Sequence, residues 1–336
     1  MDIDERRQRL QSASGEVATL HVAFIGLADD LLEELGDGAA IGAEALADRA
    51  GVDPTYAERW LDAAYAHELI GGEDGKFRLT ELGEAFLPEA EGSLMPLAVQ
   101  SVLSGRLTDR LVETVVSGEQ PGESLLGEFD NVAPWFGRML EGKFRPYFRQ
   151  HVLPALEMLE TVDAEAGRVL DLGCGNGWYL REIADAHASI RGTGVDSMEA
   201  SIRQAGEAAT EAGVADRLSF EAGDLFDYRP SDPFDVVALN RTLHHVWAER
   251  DALFETIDAS LADGGWLAIW EPAWPEDRRA LRTPERRPLG MRNLAEHAMG
   301  NRLLKPEEIE RALSRRNYTV TVERLDEVET LIVGRR

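Results

Sequence analysis

The chain has 336 residues, a formal net charge of −27 and a single cysteine, Cys174. This length is enough for two domains, each with its own core. One cysteine excludes a disulfide framework and a multi-cysteine metal site within the chain. A surface this acidic repels nucleic acid and anionic membranes. The sequence shows neither an apolar stretch of membrane-spanning length nor a signal-peptide pattern, so we expect a cytoplasmic protein with no membrane or nucleic-acid partner.

The balance of charged residue types also suggests a salt-rich setting. Arginine supplies nearly all the basic residues, and the only lysines are Lys76, Lys143 and Lys305. Abundant Asp and Glu with almost no Lys resembles proteins from salt-loving organisms, where salt screens the self-repulsion of the acidic surface. We therefore hypothesise a halophilic protein.

Residues 1–95 carry the pattern of a winged helix. Apolar residues at helical spacing predict a helix over 17–35. A short helix, a turn and a second helix follow, the second capped by Asp53 with Pro54 at its first position. A glycine-rich turn at 71–75 then predicts a hairpin. These 95 residues hold 21 acidic and 7 basic residues, a net charge of −14. A surface that contacts phosphates needs the opposite sign, so we do not expect DNA binding.

Residues 96–161 read as a helical linker rich in aromatic side chains. At helical spacing such a stripe is more often core than ligand wall. The members of this stripe that could instead touch a substrate are Trp135, Phe136, Met139, Phe144 and Phe148.

The rest of the chain is organised around a glycine-rich turn. An apolar run from Val169 to Leu172 is followed by Gly173, Gly175 and Gly177, and a helical pattern then begins at Trp178. Glycine allows a ligand to lie against the backbone and allows positive φ, and the N-terminus of the following helix favours an anionic group. The dinucleotide fingerprint G-x-G-x-x-G has a different spacing, and here an acid lies two residues before the first glycine.

Alternating strand and helix patterns from about residue 162 onward predict a parallel sheet with helices on both faces. Polar residues lie at or near the predicted strand ends, and ligands of open α/β sheets bind beyond those ends. We therefore expect one crevice formed by Asp171, Asp196, Asp224, Asn240 and Glu271. Asp196 lies where an acid can accept both ribose hydroxyls, although it or Ser197 could instead cap the next helix.

The segment D-x-G-x-G-x-G from Asp171 resembles motif I of the class I S-adenosylmethionine (SAM) methyltransferases, and the resemblance extends over about 165 residues. It implies a Rossmann-like sheet of seven strands with the last pair antiparallel. It also implies that Asp171 holds the ammonium group of SAM, that Asp224 takes the adenine amino group and that the Leu225 N–H meets the ring. The residues it implies for SAM and the product S-adenosylhomocysteine are Asp171, Gly173, Gly175, Gly177, Asp196, Ser197, Asp224, Leu225 and Asn240.

The N-terminal layout resembles the small-molecule O-methyltransferases, whose winged helix pairs two subunits and whose linker helices roof the substrate pocket. In that family a Leu-His-x-Trp segment after strand four carries the catalytic base. Here Leu243-His244-His245-Val246-Trp247 has one residue more, so either histidine matches, with a slight preference for His244. Glu271 matches the acid that orients the base, and His297 could face the substrate. No metal is implied.

The resemblance therefore predicts three segments: a dimerisation domain over 1–95, a linker and lid over 96–161, and a SAM-binding domain over 162–336. The predicted reaction is O-methylation of a small hydroxylated or phenolic molecule. Three alternatives stay open at this point. The acceptor atom could be carbon or nitrogen of a quinone-like or natural-product molecule. The chain could be a SAM-sensing DNA-binding regulator, or a SAM-binding protein that has lost catalysis.

Overall fold

The computed structural model describes residues 2–122 and 124–336 and divides into two compact units. The first unit comprises the chain up to Glu113 together with Leu126–Lys143, and the second comprises Thr114–Leu125 together with Phe144–Arg336. Each unit combines segments that are separate in the sequence. The three-segment division at 95 and 161 stays a prediction.

The described helices fall in both units. In chain order they are α1 (Ile3–Ala28), α2 (Leu31–Leu35), α3 (Ala43–Ala50), α4 (Pro54–Ala66), α5 (Glu81–Glu84), α6 (Met95–Ser117), α7 (Ser124–Gly127), α8 (Ala133–Tyr147), α9 (Leu153–Ala155), α10 (Met158–Ala164), α11 (Trp178–Ala186), α12 (Glu199–Glu211), α13 (Arg250–Ser260), α14 (Arg287–Ala298) and α15 (Pro306–Ser314). No helix in the described ranges is both long and apolar enough to cross a bilayer.

The strands form one small and one large sheet. Their bounds are β1 (Ile70–Glu73), β2 (Lys76–Leu79), β3 (Arg168–Leu172), β4 (Arg191–Asp196), β5 (Leu218–Ala222), β6 (Phe234–Asn240), β7 (Leu261–Pro272), β8 (Thr319–Arg324) and β9 (Glu329–Arg335).

The first unit has the predicted winged-helix elements. Helices α3 and α4 are followed by the antiparallel pair β1–β2, and the Asp53 side chain accepts the N–H groups of Thr55 and Tyr56, which confirms the predicted cap. The predicted single helix over 17–35 is wrong. Helix α1 already begins at Ile3, and the chain turns out of it at Asp30, whose φ is 56°. The first half of α1 is mostly polar and lacks the apolar spacing that marks a buried helix, so the sequence pattern does not predict a helix there.

The large sheet has the order β5-β4-β3-β6-β7-β9-β8. Strands β3 to β7 pair in parallel, whereas β9 runs antiparallel to both β7 and β8. The central strands are apolar along most of their length, as parallel strands covered on both faces must be. Leu170, Val237 and Leu267 are completely buried. The predicted fold class, with seven strands and an antiparallel closing pair, is confirmed.

Candidate active site

The glycine turn after β3 depends on glycine for two different reasons. Gly173, Gly175 and Gly177 all have positive φ, at 80°, 53° and 72°. A Cβ on Gly173 would lie 2.5 Å from Thr242, and one on Gly177 would lie 2.4 Å from Phe220. A Cβ on Gly175 would meet nothing within 4 Å. The outer glycines therefore serve packing, while the middle one leaves open space against the backbone.

Asp171 supplies the polar group that faces this turn. It is completely buried, and neither oxygen of its carboxylate has a hydrogen-bond partner in the described part of the chain. Burial, and then the nearby charge of Asp196, raise the pKa of Asp171 to about 8. An ionisable group left without a partner in the protein interior is costly. A bound cation would remove that cost, and the ammonium group of SAM is such a cation.

Asp196 ends β4 and is tied to the same turn. One carboxylate oxygen, Oδ2, accepts the Gly175 N–H at 2.9 Å, and the other, Oδ1, accepts the Met198 N–H at 2.9 Å just before α12. The Asp196 side chain thus accepts hydrogen bonds from the glycine turn and from the residue before α12. Ser197 is exposed. The Asp196 carboxylate still has acceptor capacity for hydroxyl groups, because each oxygen can take a second hydrogen bond.

Neighbouring strands bring the other predicted SAM residues to the same edge of the sheet. Asp224 follows β5, and its side chain accepts the Phe226 N–H at 2.9 Å. Leu225 packs partly buried against the core. Asn240 ends β6, and its Oδ1 is buried without a hydrogen-bond partner among the described residues. Because β3, β4, β5 and β6 are parallel neighbours, their carboxyl ends lie at one edge of the sheet, and a shared SAM crevice there stays a prediction.

His244 lies beyond β6 and is held by the predicted acid. Its side chain is buried, and its Nδ1 lies 2.6 Å from Oε2 of Glu271, at the end of β7. The other oxygen of Glu271 accepts the backbone N–H of His244 at 3.2 Å. One carboxylate therefore fixes both the ring and the backbone of His244. Glu271 pairs with His244 rather than with His245 among the hydrogen bonds of the described chain.

The charges around His244 set its protonation. Burial on its own lowers the pKa of His244, but the charges and contacts of Glu271 and Glu296 outweigh burial, so the pKa is raised above 6.5. Burial acts in the opposite sense on Glu271, yet the neighbouring His244 and arginines leave the pKa of Glu271 lowered. The histidine is thus a stronger base than a free imidazole, and its carboxylate partner stays ionised.

Two residues of this cluster were missed by the sequence analysis, and both lie on α14. Oε1 of Glu296 lies 3.4 Å from Nε2 of His244, and a terminal guanidinium nitrogen of Arg292 lies 3.2 Å from the same Nε2. Arg292 and Glu296 are four residues apart and face the same side of the helix. This four-residue spacing is visible in the sequence, but it does not show which face of α14 packs against the sheet.

His245 lies beside His244 in a different environment. The two ring centroids are 4.0 Å apart, and the His245 side chain is 29% exposed. Its Nδ1 lies 3.2 Å from Nδ2 of Asn301 and 3.9 Å from Oε2 of Glu296. Nitrogen and oxygen atoms of His244, His245 and Glu296 lie within 4.8 Å of one another, close enough to share a metal ion. The Arg292 guanidinium brings a positive charge to the same place, and the absence of a metal stays a prediction.

Two of the predicted substrate residues belong to an aromatic cluster in the second unit. The ring of Phe144 packs 5.9 Å from that of Trp270, the residue before Glu271. Phe148 packs 5.7 Å from Trp178, the residue after the last glycine of the turn. The guanidinium of Arg241 lies 3.9 Å above the ring of Phe144. Phe148 also lies 6.1 Å from Trp270, so its ring connects the residue after the glycine turn to the strand that carries Glu271, whereas Phe144 contacts that strand alone.

The remaining predicted substrate residues are placed elsewhere. His297 is exposed, and its contacts are with Gln120, whose side-chain Nε2 lies 3.2 Å from its Nδ1. The first unit contains Trp135, Phe136 and Met139. A substrate role for these four residues stays a prediction.

Three features together define a class of enzyme. They are the order of the strands in the large sheet, the unpartnered Asp171 before the glycine turn, and His244 oriented by Glu271. Residues 169–265 match the model of the methyltransferase domain family. The protein is a class I SAM-dependent methyltransferase with a helical N-terminal region, and SAM is its methyl donor.

Comparison with known proteins agrees with this class. The chain is 29% identical over 273 residues to O-methyltransferase SfmM3 from Streptomyces lavendulae, covering 78% of each protein. It is 35% identical over 117 residues to trans-aconitate 2-methyltransferase from Streptomyces avermitilis, a match that spans 35% of this chain and 43% of that protein. The fold is similar to that of human N-acetylserotonin methyltransferase, solved in complex with SAM, with a TM-score of 0.72, 19% identity and coverage of 100% and 98%.

Proposed function

We propose that this enzyme transfers the methyl group of SAM to an oxygen atom of a small hydroxylated molecule, with His244 as general base. The observation that carries the proposal is the 2.6 Å contact between Nδ1 of His244 and Glu271. It leaves Nε2 as the atom that takes the proton, as in other histidines oriented by a carboxylate. The O-methyltransferase relative supports oxygen as the acceptor atom.

The chain's own residues would divide the work as follows. SAM supplies an electrophilic methyl carbon on a sulfonium. Asp171 would hold the ammonium group, while Asp196, Asp224 and Asn240 would hold the adenosine at the strand ends. His244 would accept the hydroxyl proton at Nε2 as the O–C bond forms and the C–S bond breaks, which releases S-adenosylhomocysteine.

Two observations favour His244 over His245 as the base. Only His244 is buried against an orienting carboxylate, and the pKa of His244 is raised above its ordinary value. His245 is partly exposed and faces Asn301. A base must be both oriented and basic, and His244 meets both requirements.

The experiment compares His244→Ala with His245→Ala in methyl transfer to a panel of phenols and alcohols. General-base catalysis contributes about 10²- to 10⁴-fold, so His244→Ala should lose that much kcat and His245→Ala far less. SAM binding by calorimetry should be unchanged in both variants. Full activity of His244→Ala would instead favour a carbon or nitrogen acceptor that needs no deprotonation.

We also propose that the first unit pairs with a second copy of the chain. Helix α1 exposes Ile3, Leu10 and Val17, which are seven residues apart and therefore lie on one face. Each of these apolar side chains is more than 40% exposed, and apolar patches on a surface mark interaction sites. Light scattering should give the mass of a dimer for the wild type and of a monomer for Leu10→Glu with Val17→Glu. A monomeric wild type would contradict the proposal.

A further inference from the structure

Helix α14 carries, beside His244, a buried hydrogen-bond acceptor that has no partner among the described residues. Glu296 is buried, with a side-chain exposure of 6%. Its Oε1 faces His244, but its Oε2 has no hydrogen-bond partner in the described chain. Nδ1 of His245 lies 3.9 Å from that oxygen, which is too far for a hydrogen bond.

The surroundings of Glu296 favour its ionised form. Burial on its own would raise the pKa of Glu296, but the contact with His244 and the nearby cations lower it to about 2. A buried carboxylate oxygen that is charged and unpartnered carries the full cost of its lost hydration. A hydrogen-bond donor on a bound ligand would offset that cost.

Arg292 provides the complementary donor one helical turn earlier. Its guanidinium lies 3.2 Å from Nε2 of His244 and makes only a long contact, 3.4 Å, with Oε1 of Glu296. An acceptor hydroxyl that gave its proton to Nε2 would lie beside this guanidinium, which suits an oxygen that becomes negative as it loses its proton. The Arg292 guanidinium can therefore donate a hydrogen bond to the nucleophilic oxygen, while the adjacent Glu296 carboxylate can accept one from a neighbouring group of the substrate.

We propose that the natural acceptor carries a hydroxyl group next to the oxygen that is methylated, as in a catechol, and that Oε2 of Glu296 accepts the hydrogen bond of this second hydroxyl. This inference rests on the proposed O-methylation and adds the substrate class. Glu296 is then a specificity-determining residue, and Arg292 holds the nucleophilic oxygen.

The test measures binding rather than turnover. The complex of the full chain with S-adenosylhomocysteine is titrated with catechol, 2-aminophenol, guaiacol and phenol, and tryptophan fluorescence follows binding. Guaiacol keeps one hydroxyl of catechol and carries in place of the second a methoxy group, which adds a methyl and donates no hydrogen bond. Catechol should bind about tenfold or more tightly than guaiacol, because a hydrogen bond to a buried charge is worth that much. The 2-aminophenol arm shows whether an amine can replace the hydroxyl.

Variants of Glu296 then test whether its Oε2 atom causes the preference for catechol over guaiacol. Glu296→Gln should reduce the ratio between catechol and guaiacol, and Glu296→Leu should bring it close to one. Phenol makes no contact with Oε2, so a change in its affinity measures the indirect effect of each variant on His244, and this effect cancels in the ratio between catechol and guaiacol. Glu285→Gln, an exposed change just before α14, is the matched control and should leave the ratio intact.

Equal affinity of the wild type for catechol and guaiacol, including no binding of either, overturns the inference. So does a ratio that survives Glu296→Leu. The outcome is independent of the proposed reaction, because no methyl group is transferred in the titration. Selective binding of catechol without its methylation in a separate SAM assay would uphold the substrate class and contradict O-methylation.

Discussion

At the scale of single residues, the unpartnered carboxylate of Asp171 links SAM binding to pH. Its pKa is raised to about 8, first by burial and then by Asp196. Below that pH the ligand-free protein holds Asp171 as a neutral acid, whereas the ammonium of SAM favours the charged form. Binding at pH 7 should therefore release a proton, and calorimetry in buffers of different ionisation enthalpy measures that release.

Asp171→Asn is expected to separate binding from stability. The variant should bind SAM at least about tenfold more weakly, since a charged contact to the ammonium is lost. The ligand-free fold should not be weakened. The contribution of Asp171 to wild-type stability falls as pH rises from about 4 to 8, because the unfolded state releases the proton near pH 4 whereas the folded state keeps it until about pH 8. Denaturant unfolding should show the variant gaining on the wild type over that range. Equal slopes with pH would contradict the buried, raised acid.

Glu271 is expected to set the pH dependence of catalysis through His244. Because the pKa of His244 is raised, kcat should increase with pH and level off above an inflection that lies higher than 6.5. In Glu271→Gln the main charge that raises this pKa is gone while burial, which lowers it, is retained. The inflection should then move to lower pH, and the maximal kcat should fall by about 10²-fold or more because the ring loses its orientation. An unchanged inflection would show that another group is titrating.

At the scale of elements, the glycine turn allows two substitutions to be compared. Gly175→Ala places a methyl group in open space, so its cost to the fold is mainly that of positive φ, about 1–2 kcal/mol. Gly177→Ala adds a clash with Phe220 at 2.4 Å to a similar cost. Gly177→Ala should therefore lower the melting temperature more. Gly175→Ala should mainly weaken SAM binding, which calorimetry on the folded variant measures. Unaltered SAM affinity in Gly175→Ala would mean that the ligand does not approach this backbone.

The glycine turn and helix α14 differ in how far the sequence predicts their part in the site. The acid and the glycine spacing of the turn are local, and the parallel sheet converts them into a crevice by a general rule of topology. Helix α14 was different. Its polar residues were visible, but which of them meets His244 depends on how the insertion between β7 and α15 packs on the sheet. Residue type alone makes His297 a candidate substrate residue, whereas its neighbour Glu296 is the residue that contacts His244.

The extra residue between Leu243 and Trp247 gave a second ambiguity. Counting from either side of the segment selected a different histidine, and spacing alone could not decide. A contact across the sheet favours His244, because Glu271 at the end of the neighbouring strand β7 lies against it. Pairing between adjacent strands is non-local in the sequence, so which of the two histidines Glu271 contacts depends on the three-dimensional structure.

At the scale of the whole molecule, the net charge of −27 should make stability depend on salt. Mutual repulsion of the carboxylates destabilises the compact state, and raising ionic strength from about 0.1 M to 1 M shortens the screening length from about 10 Å to 3 Å. We expect the melting temperature at pH 7.5 to rise by about 4 °C or more over that range of KCl, which corresponds to about 3 kcal/mol for a chain of 336 residues.

The control for this effect is the same titration at pH 5.5, nearer the isoelectric point of about 4.6. Fewer net charges remain there, so relief of repulsion by salt should be smaller, whereas any general strengthening of apolar burial by salt should act equally at both pH values. A gain confined to pH 7.5 would support adaptation of the acidic surface to salt. Equal gains at the two pH values, or none at either, would remove the charge argument for a halophilic protein, because repulsion would then not limit the stability of the folded chain.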